Sequence, residues 1–178
     1  MGMRAIGRGS LAAGLSVLLD ILRVLLWIVL GVAVVLAALS VYVYASAPAD
    51  SVFGVRIERI DPWYVTLTSF AVAIGGLAAA LVVVIRLRRI FATLSAGDPF
   101  VPENAEHLRV IAIILAAFEI ARLATSALLA GVAFGSGADA VVRLEVNLLM
   151  WFGVLSLFVL AEVFREGTRL RHDQQLTI

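Results

Sequence analysis

VIAIILAAFEIARLATSALLAGV, residues 110–132, is apolar enough to span a bilayer yet carries Glu119 and Arg122 near its middle. In water such a pair is trivial. In hydrocarbon each charge costs about 2.5–3.5 kcal/mol on insertion scales unless it is paired or turned towards protein. The rest of the chain must therefore supply an interior at that depth.

The composition agrees. The chain has 178 residues, of which 62% are hydrophobic and 15% charged, with a mean hydropathy of +1.05. Soluble domains are only about 45–50% apolar. A span needs about 20 mostly apolar residues, so this length holds four spans with short connections, and the expected fold class is all-α: an integral membrane four-helix bundle forming one domain over 1–178. With no cysteine, disulfides, thiolate metal sites and thiol relays are excluded. All 14 basic residues are arginine, which reads as genome composition rather than as phosphate recognition.

The first span is expected at about 21–45, preceded by an arm with Arg4 and Arg8 and an interfacial helix over Leu11 to Leu19. The apolar run is longer than the roughly 7–15 residues of a signal-peptide core, so an uncleaved anchor is expected. An outer loop, 46–63, follows; Val52, Val55, Ile57 and Ile60 in it fit a strand pair or a surface helix equally well. Trp63 and Tyr64 open the second span, about 64–85, and with Tyr42 and Tyr44 form an aromatic belt on one side. Ala71, Gly75 and Ala79 set a small-residue stripe along it, suited to a close helix approach.

Residues 86–109 read as the longest polar connection. Arg86, Arg88 and Arg89 begin it, Leu87, Ile90, Phe91 and Leu94 suggest a helix lying along the membrane surface, and Gly97-Asp98-Pro99 is a turn signal. Pro102 and Glu103 suit the first turn of the next helix. The third span is 110–132, the second outer loop 133–145, and the fourth span about 146–164. Arg4, Arg8, Arg86, Arg88, Arg89, Arg109, Arg165, Arg169 and Arg171 fall on one side, against Arg56, Arg59 and Arg143 on the other. The positive-inside rule then places both termini and the 86–109 connection in the cytoplasm, with the bacterial inner (cytoplasmic) membrane as the expected location.

Glu119 and Arg122, three residues apart, share one helix face and can pair. Thr125 and Ser126 continue that face outward, Ala112 and Leu115 inward. Two readings stand: a relay or transport element, or a self-neutralised pair bonded to Thr66, Ser69 or Asn147 that fixes register. The second carries more weight, because the other spans offer no ionisable group at that depth. Asp20 with Arg23 and Glu162 with Arg165 repeat the spacing at helix ends and read as surface pairs. His107 and His172 lie outside the spans, fit neither a haem nor a zinc pattern, and read as solvated. Trp27 and Trp151 read as packing or interfacial residues. No nucleophile set, metal motif or phosphate loop can be placed in context, so no enzyme, cofactor or metal is expected.

The segment LSAGDPFVPEN over 94–104 with Leu108 and Arg109, and the ending FREGTRL over 164–170 closing in Leu176, Thr177 and Ile178, resemble the bacterial membrane family catalogued as domain of unknown function twenty-nine seventy-five (DUF2975). The resemblance implies a four-span fold and a setting rather than an activity. Because members are often encoded beside a small helix-turn-helix transcription regulator, it also implies a cytoplasmic partner that binds DNA itself, leaving this chain with no direct nucleic-acid contact. The expected docking face comprises Arg86, Arg88, Arg89, Asp98, Pro99, Phe100, Asn104, Arg109, Arg165, Arg169, Leu176 and Ile178. The bilayer is the other expected partner, since the same arginines can rest on anionic headgroups at about 1 kcal/mol each; a homo-oligomer stays open. The leading expectation is a regulatory or sensor subunit, with a small transporter or channel component using Glu119 and Arg122, or a purely structural subunit, as alternatives.

Overall fold

The computed structural model describes residues 8–46, 63–97, 100–136 and 145–175. They form α1 (Arg8–Ser46), α2 (Trp63–Ser95), α3 (Pro102–Ser136) and α4 (Leu148–Gln175), with no strand among the described residues. All four are long and apolar enough to cross a membrane. The chain is therefore a four-helix bundle of multi-pass membrane type.

The helices reach well past the apolar spans. Residues 11–19 continue straight into the first span as part of α1, and 86–95 simply extend α2. The 86–109 connection thus shrinks to the turn between Ser95 and Pro102. Hydropathy marks where a helix leaves lipid, not where it ends. α2 persists through Arg86, Arg88 and Arg89 because Ile90, buried, and Leu87, partly buried, on its inner face have a core to join. Conversely, α4 starts at Leu148, within the apolar run expected to begin at 146. Val52 to Ile60 lies outside the described residues.

α1 packs on α2, α2 on α3 and α3 on α4, and no other pair brings its backbones close among the described residues. The result is an open bundle ordered as the chain runs. On α1 the less exposed positions include Leu15, Leu19, Arg23, Leu26, Leu30, Ala33, Ala37, Ser40 and Tyr44, with Asp20 and Val43 beside them. That alternation of four and three is a coiled-coil-like seam. The other positions from Val17 to Tyr42, Asp20 apart, are exposed and apolar. Lipid tails cover such a face without penalty, being as apolar as leucine.

The main core sits between α2, α3 and α4 towards the arginine-rich end: Ile90, Leu108, Ile111 and Ala161, flanked by Val83, Leu87, Leu115, Leu157 and Phe164. At mid-height the ring of Phe118 lies on Gly75 and Gly76, where a Cβ on Gly76 would come within 3.0 Å of Phe118 Cζ. Close approach is thus achieved by a ring seated on two glycines. In the small-residue stripe itself Ala79 is buried but Ala71 is exposed.

Tyr44 Oη lies 3.2 Å from Thr66 Oγ1 and Trp63 stacks edge-on to Tyr64, so the aromatic residues gather at one end. Arginines mark the other. Asp20 does not pair with Arg23 one turn away; its Oδ1 meets Arg88 Nε on α2 at 2.9 Å. Glu162 and Arg165 pair as their spacing suggests. Hydroxyls in the helices, including Thr68, Ser69, Thr125, Ser126 and Ser156, donate to carbonyls three or four residues back. That satisfies them without a partner helix.

Candidate functional site

Two constellations stand out, one at mid-membrane depth and one at the arginine-rich end. The first is Glu119 with Arg122. Arg122 Nε donates to Glu119 Oε2 at 3.0 Å and Nη2 to Oε1 at 2.7 Å, a bidentate fork. The Glu119 side chain is 4% exposed and that of Arg122 28%. Because Phe118 faces Gly75 and Gly76, the pair stands level with the middle of the apolar run of α2.

Its partners come from the segment leading into α4. Arg122 Nη2 also donates to the Glu145 carbonyl at 2.7 Å, and the Asn147 backbone N–H reaches the Glu119 carboxylate. Asn147 in turn caps α4, its Oδ1 accepting from the Met150 N–H at 3.0 Å while its carbonyl takes the Trp151 N–H at 3.2 Å. Neither Thr66 nor Ser69 joins, since Thr66 bonds Tyr44 and Ser69 bonds the Val65 carbonyl.

The need for these bonds follows from helix lengths. α3 runs on from Arg122 to Ser136, about 21 Å at 1.5 Å per residue. α4 therefore begins far short of the end of α3, deep in the apolar zone. A helix N-terminus carries up to four unsatisfied N–H groups and the positive end of a dipole, and in hydrocarbon each unsatisfied group costs several kcal/mol. The carboxylate supplies an acceptor and a negative charge there, and the guanidinium neutralises the carboxylate while holding the preceding carbonyl. The arrangement is a polar clamp on the start of α4.

The second constellation joins the two segments that carry the family resemblance. After Ser95 the chain turns through Ala96 and Gly97, with the Ala96 N–H on the Ala92 carbonyl and the Gly97 N–H on the Leu94 carbonyl, both at 3.1 Å. Gly97 has φ +85°, a conformation glycine adopts without steric cost. Asn104 spans the turn, its Nδ2 donating to Thr93 Oγ1 at 2.7 Å. Phe100 then lies on α4, its ring 5.8 Å from that of Phe164. A Cβ at Gly167 would stand 2.9 Å from two carbons of that ring, so a side chain there would displace Phe100.

At this end of the bundle Arg88, Arg89, Arg109, Arg165, Arg169 and Phe100 are exposed. Asn104, expected on the docking face, is instead fully buried beneath it. Arg86 is half-buried and donates to His107 Nδ1 at 3.1 Å, so His107 is a bonded residue rather than a freely solvated one. Asp98, Pro99, Leu176 and Ile178 lie outside the described residues. Of the three partners that the sequence offered for the pair, Asn147 is the one that joins it. That it does so through its backbone, with the Glu145 carbonyl beside it, depends on where α4 starts relative to α3, which hydropathy and turn signals do not give. Among the described residues no group of acidic residues, histidines or cysteines is arranged to hold a metal.

Residues 56–178 match the family described as "Protein of unknown function (DUF2975)". The chain belongs to that family. The DUF2975 match takes in α2, α3 and α4, including the clamp and the latch, and begins after α1. No curated protein and no solved structure matches the chain.

Proposed function

We propose that the chain is a non-enzymatic regulatory or sensor subunit of the bacterial inner membrane, whose arginine-rich end faces the cytoplasm and holds a small helix-turn-helix transcription regulator. The observation that carries this reading is the latch. Phe100, seated on Phe164 and Gly167, ties the α2–α3 turn to the tail of α4 and so builds one firm surface from the two segments that resemble the family. Exposed Arg89 and Arg169 share this end of the bundle with the exposed ring of Phe100, a combination suited to an acidic-and-apolar protein patch.

The clamp fits the same reading. With both Glu119 oxygens engaged by Arg122 and the guanidinium also holding Glu145, the pair serves architecture better than transport. It fixes the height at which α4 starts and hence where its tail meets the α2–α3 turn.

The test is co-purification in detergent with a small helix-turn-helix regulator of the kind often encoded beside members of the family. Retention by the wild type, lost in Phe100→Ala and in an Arg89→Glu, Arg169→Glu double variant of unchanged elution profile, supports the proposal. Absence of retention by the wild type refutes it. For the transport alternative the decisive measurement is liposome ion flux, which Glu119→Gln would have to lower in a folded protein.

A further inference from the structure

We propose that the groove between α3 and α4 at the arginine-rich end is a binding site for the headgroup of an ethanolamine phospholipid. The groove encloses about 360 Å³ and is lined by Ala105, Glu106 and Arg109 of α3 and Phe158, Ala161, Glu162 and Arg165 of α4. That volume is near the lower end of the range for small-molecule sites. The inference is independent of regulator docking, and assigns Arg109 and Arg165 to lipid rather than to a protein partner.

Depth is the first argument. Arg109 is the last charged residue before the apolar run of α3, and Glu162 and Arg165 are the first charges after that of α4. The groove therefore lies where phosphates and ammonium groups of a bilayer reside. Its floor continues into the hydrocarbon. Ile113, one turn from Arg109, and Leu155, one turn before Phe158, are both exposed. They extend the two walls as an apolar furrow for an acyl chain.

Charge is the second argument. The lining holds two arginines and two glutamates, so it is neutral overall but strongly dipolar. An anionic headgroup would satisfy the arginines and leave both carboxylates facing it. A zwitterionic headgroup satisfies both signs: phosphate oxygens on Arg109 and Arg165, ammonium on Glu106 and Glu162. A primary ammonium donates hydrogen bonds to carboxylates whereas a trimethylated one has no N–H to give, which favours ethanolamine over choline. Arg109 makes no hydrogen bond or ion pair among the described residues. The Glu162–Arg165 pair is largely exposed; pairs of that kind contribute little, so opening it to admit a headgroup costs little.

The experiment is native mass spectrometry of the full chain in detergent, titrated separately with phosphatidylethanolamine, phosphatidylcholine and phosphatidylglycerol of identical acyl chains. The ethanolamine lipid is expected to bind about tenfold more tightly than the other two, equivalent to one charge-assisted contact. Arg109→Gln and Glu162→Gln should each remove most of that preference, while Arg88→Gln, which changes net charge equally on the far side of the bundle, should leave it intact. Equal binding of all three lipids by the wild type overturns the proposal, as does preference for phosphatidylglycerol, which would mark a generic basic rim. Loss of the preference in Arg88→Gln would overturn it too. The wild-type comparison needs no variant, so a misfolded substitution cannot hide the answer.

Discussion

At the scale of single residues, the decisive contacts use groups with no alternative partner. Arg122 makes three bonds that a lysine cannot reproduce, because the bidentate fork and the third bond to Glu145 need a planar guanidinium. Arg122→Leu leaves a buried carboxylate without its counter-charge, and removing one member of a buried pair costs about 3–5 kcal/mol. Thermal unfolding in detergent should show that loss, with Arg122→Lys intermediate. Adding Glu119→Leu to Arg122→Leu should recover a large part of the stability, since the stranded charge is gone, but not all, since the Asn147 N–H and Glu145 carbonyl lose their partners. Strict additivity in this cycle would mean that the two side chains do not act together. Gly167 makes the opposite case, a contact that depends on a missing atom. In Gly167→Ala the new Cβ displaces the Phe100 ring, while alanine gains about 0.5–1 kcal/mol of helix preference over glycine. The expected result is nearly unchanged stability with faster hydrogen exchange over residues 96–104; unchanged exchange would show that Phe100 does not hold the turn.

Elements show which features can be read from a sequence and which cannot. The four spans were legible because twenty-odd apolar residues between polar ones have one economical solution in lipid, and the Glu119–Arg122 pair was legible because three-residue spacing is local. Features relating distant segments were not. Asp20 has Arg23 nearby in sequence but meets Arg88, since a seam between antiparallel helices places residues opposite each other that no periodicity relates. The continuation of α2 through its arginines is similarly hidden, as its inner face is stabilised by a core contributed mostly by α3 and α4. The start of α4 is a third example. Asn147 is recognisable as an N-cap residue only once the helix is known to begin at Leu148, and there its cap does more than in water. Substituting a capping Asn by Ala costs about 0.5–2 kcal/mol in soluble helices. At this depth Asn147→Ala is expected at or above the upper end of that range, measured as reduced thermal stability. Asn147→Asp should perform worse than Asn147→Ser, because a second carboxylate beside Glu119 adds repulsion. Equal stability of the two would indicate that water reaches the cap.

For the molecule as a whole, the open order of helices sets α1 apart from the other three in its packing. The family match covers α2 to α4, the helices that share the core, the clamp and the latch, whereas α1 touches only α2. Orientation is a property of all four together, and the arginines allow a definite expectation. Arg8, Arg86, Arg88, Arg89, Arg109, Arg165, Arg169 and Arg171 lie towards the end with the α2–α3 turn, which the positive-inside rule assigns to the cytoplasm. The absence of cysteine makes this directly testable, since any introduced thiol is the only one in the chain. Ser46 and Ser95 are exposed residues closing α1 and α2 at opposite ends of the bundle. In intact bacterial cells with a permeable outer layer, a membrane-impermeant maleimide should label Ser46→Cys at once and Ser95→Cys only after lysis. The reverse pattern would put the latch outside, where no cytoplasmic regulator can reach it. The clamp would survive that reversal, because its bonds depend only on where α4 begins beside α3. The docking proposal would not, and that difference makes labelling the first experiment to perform.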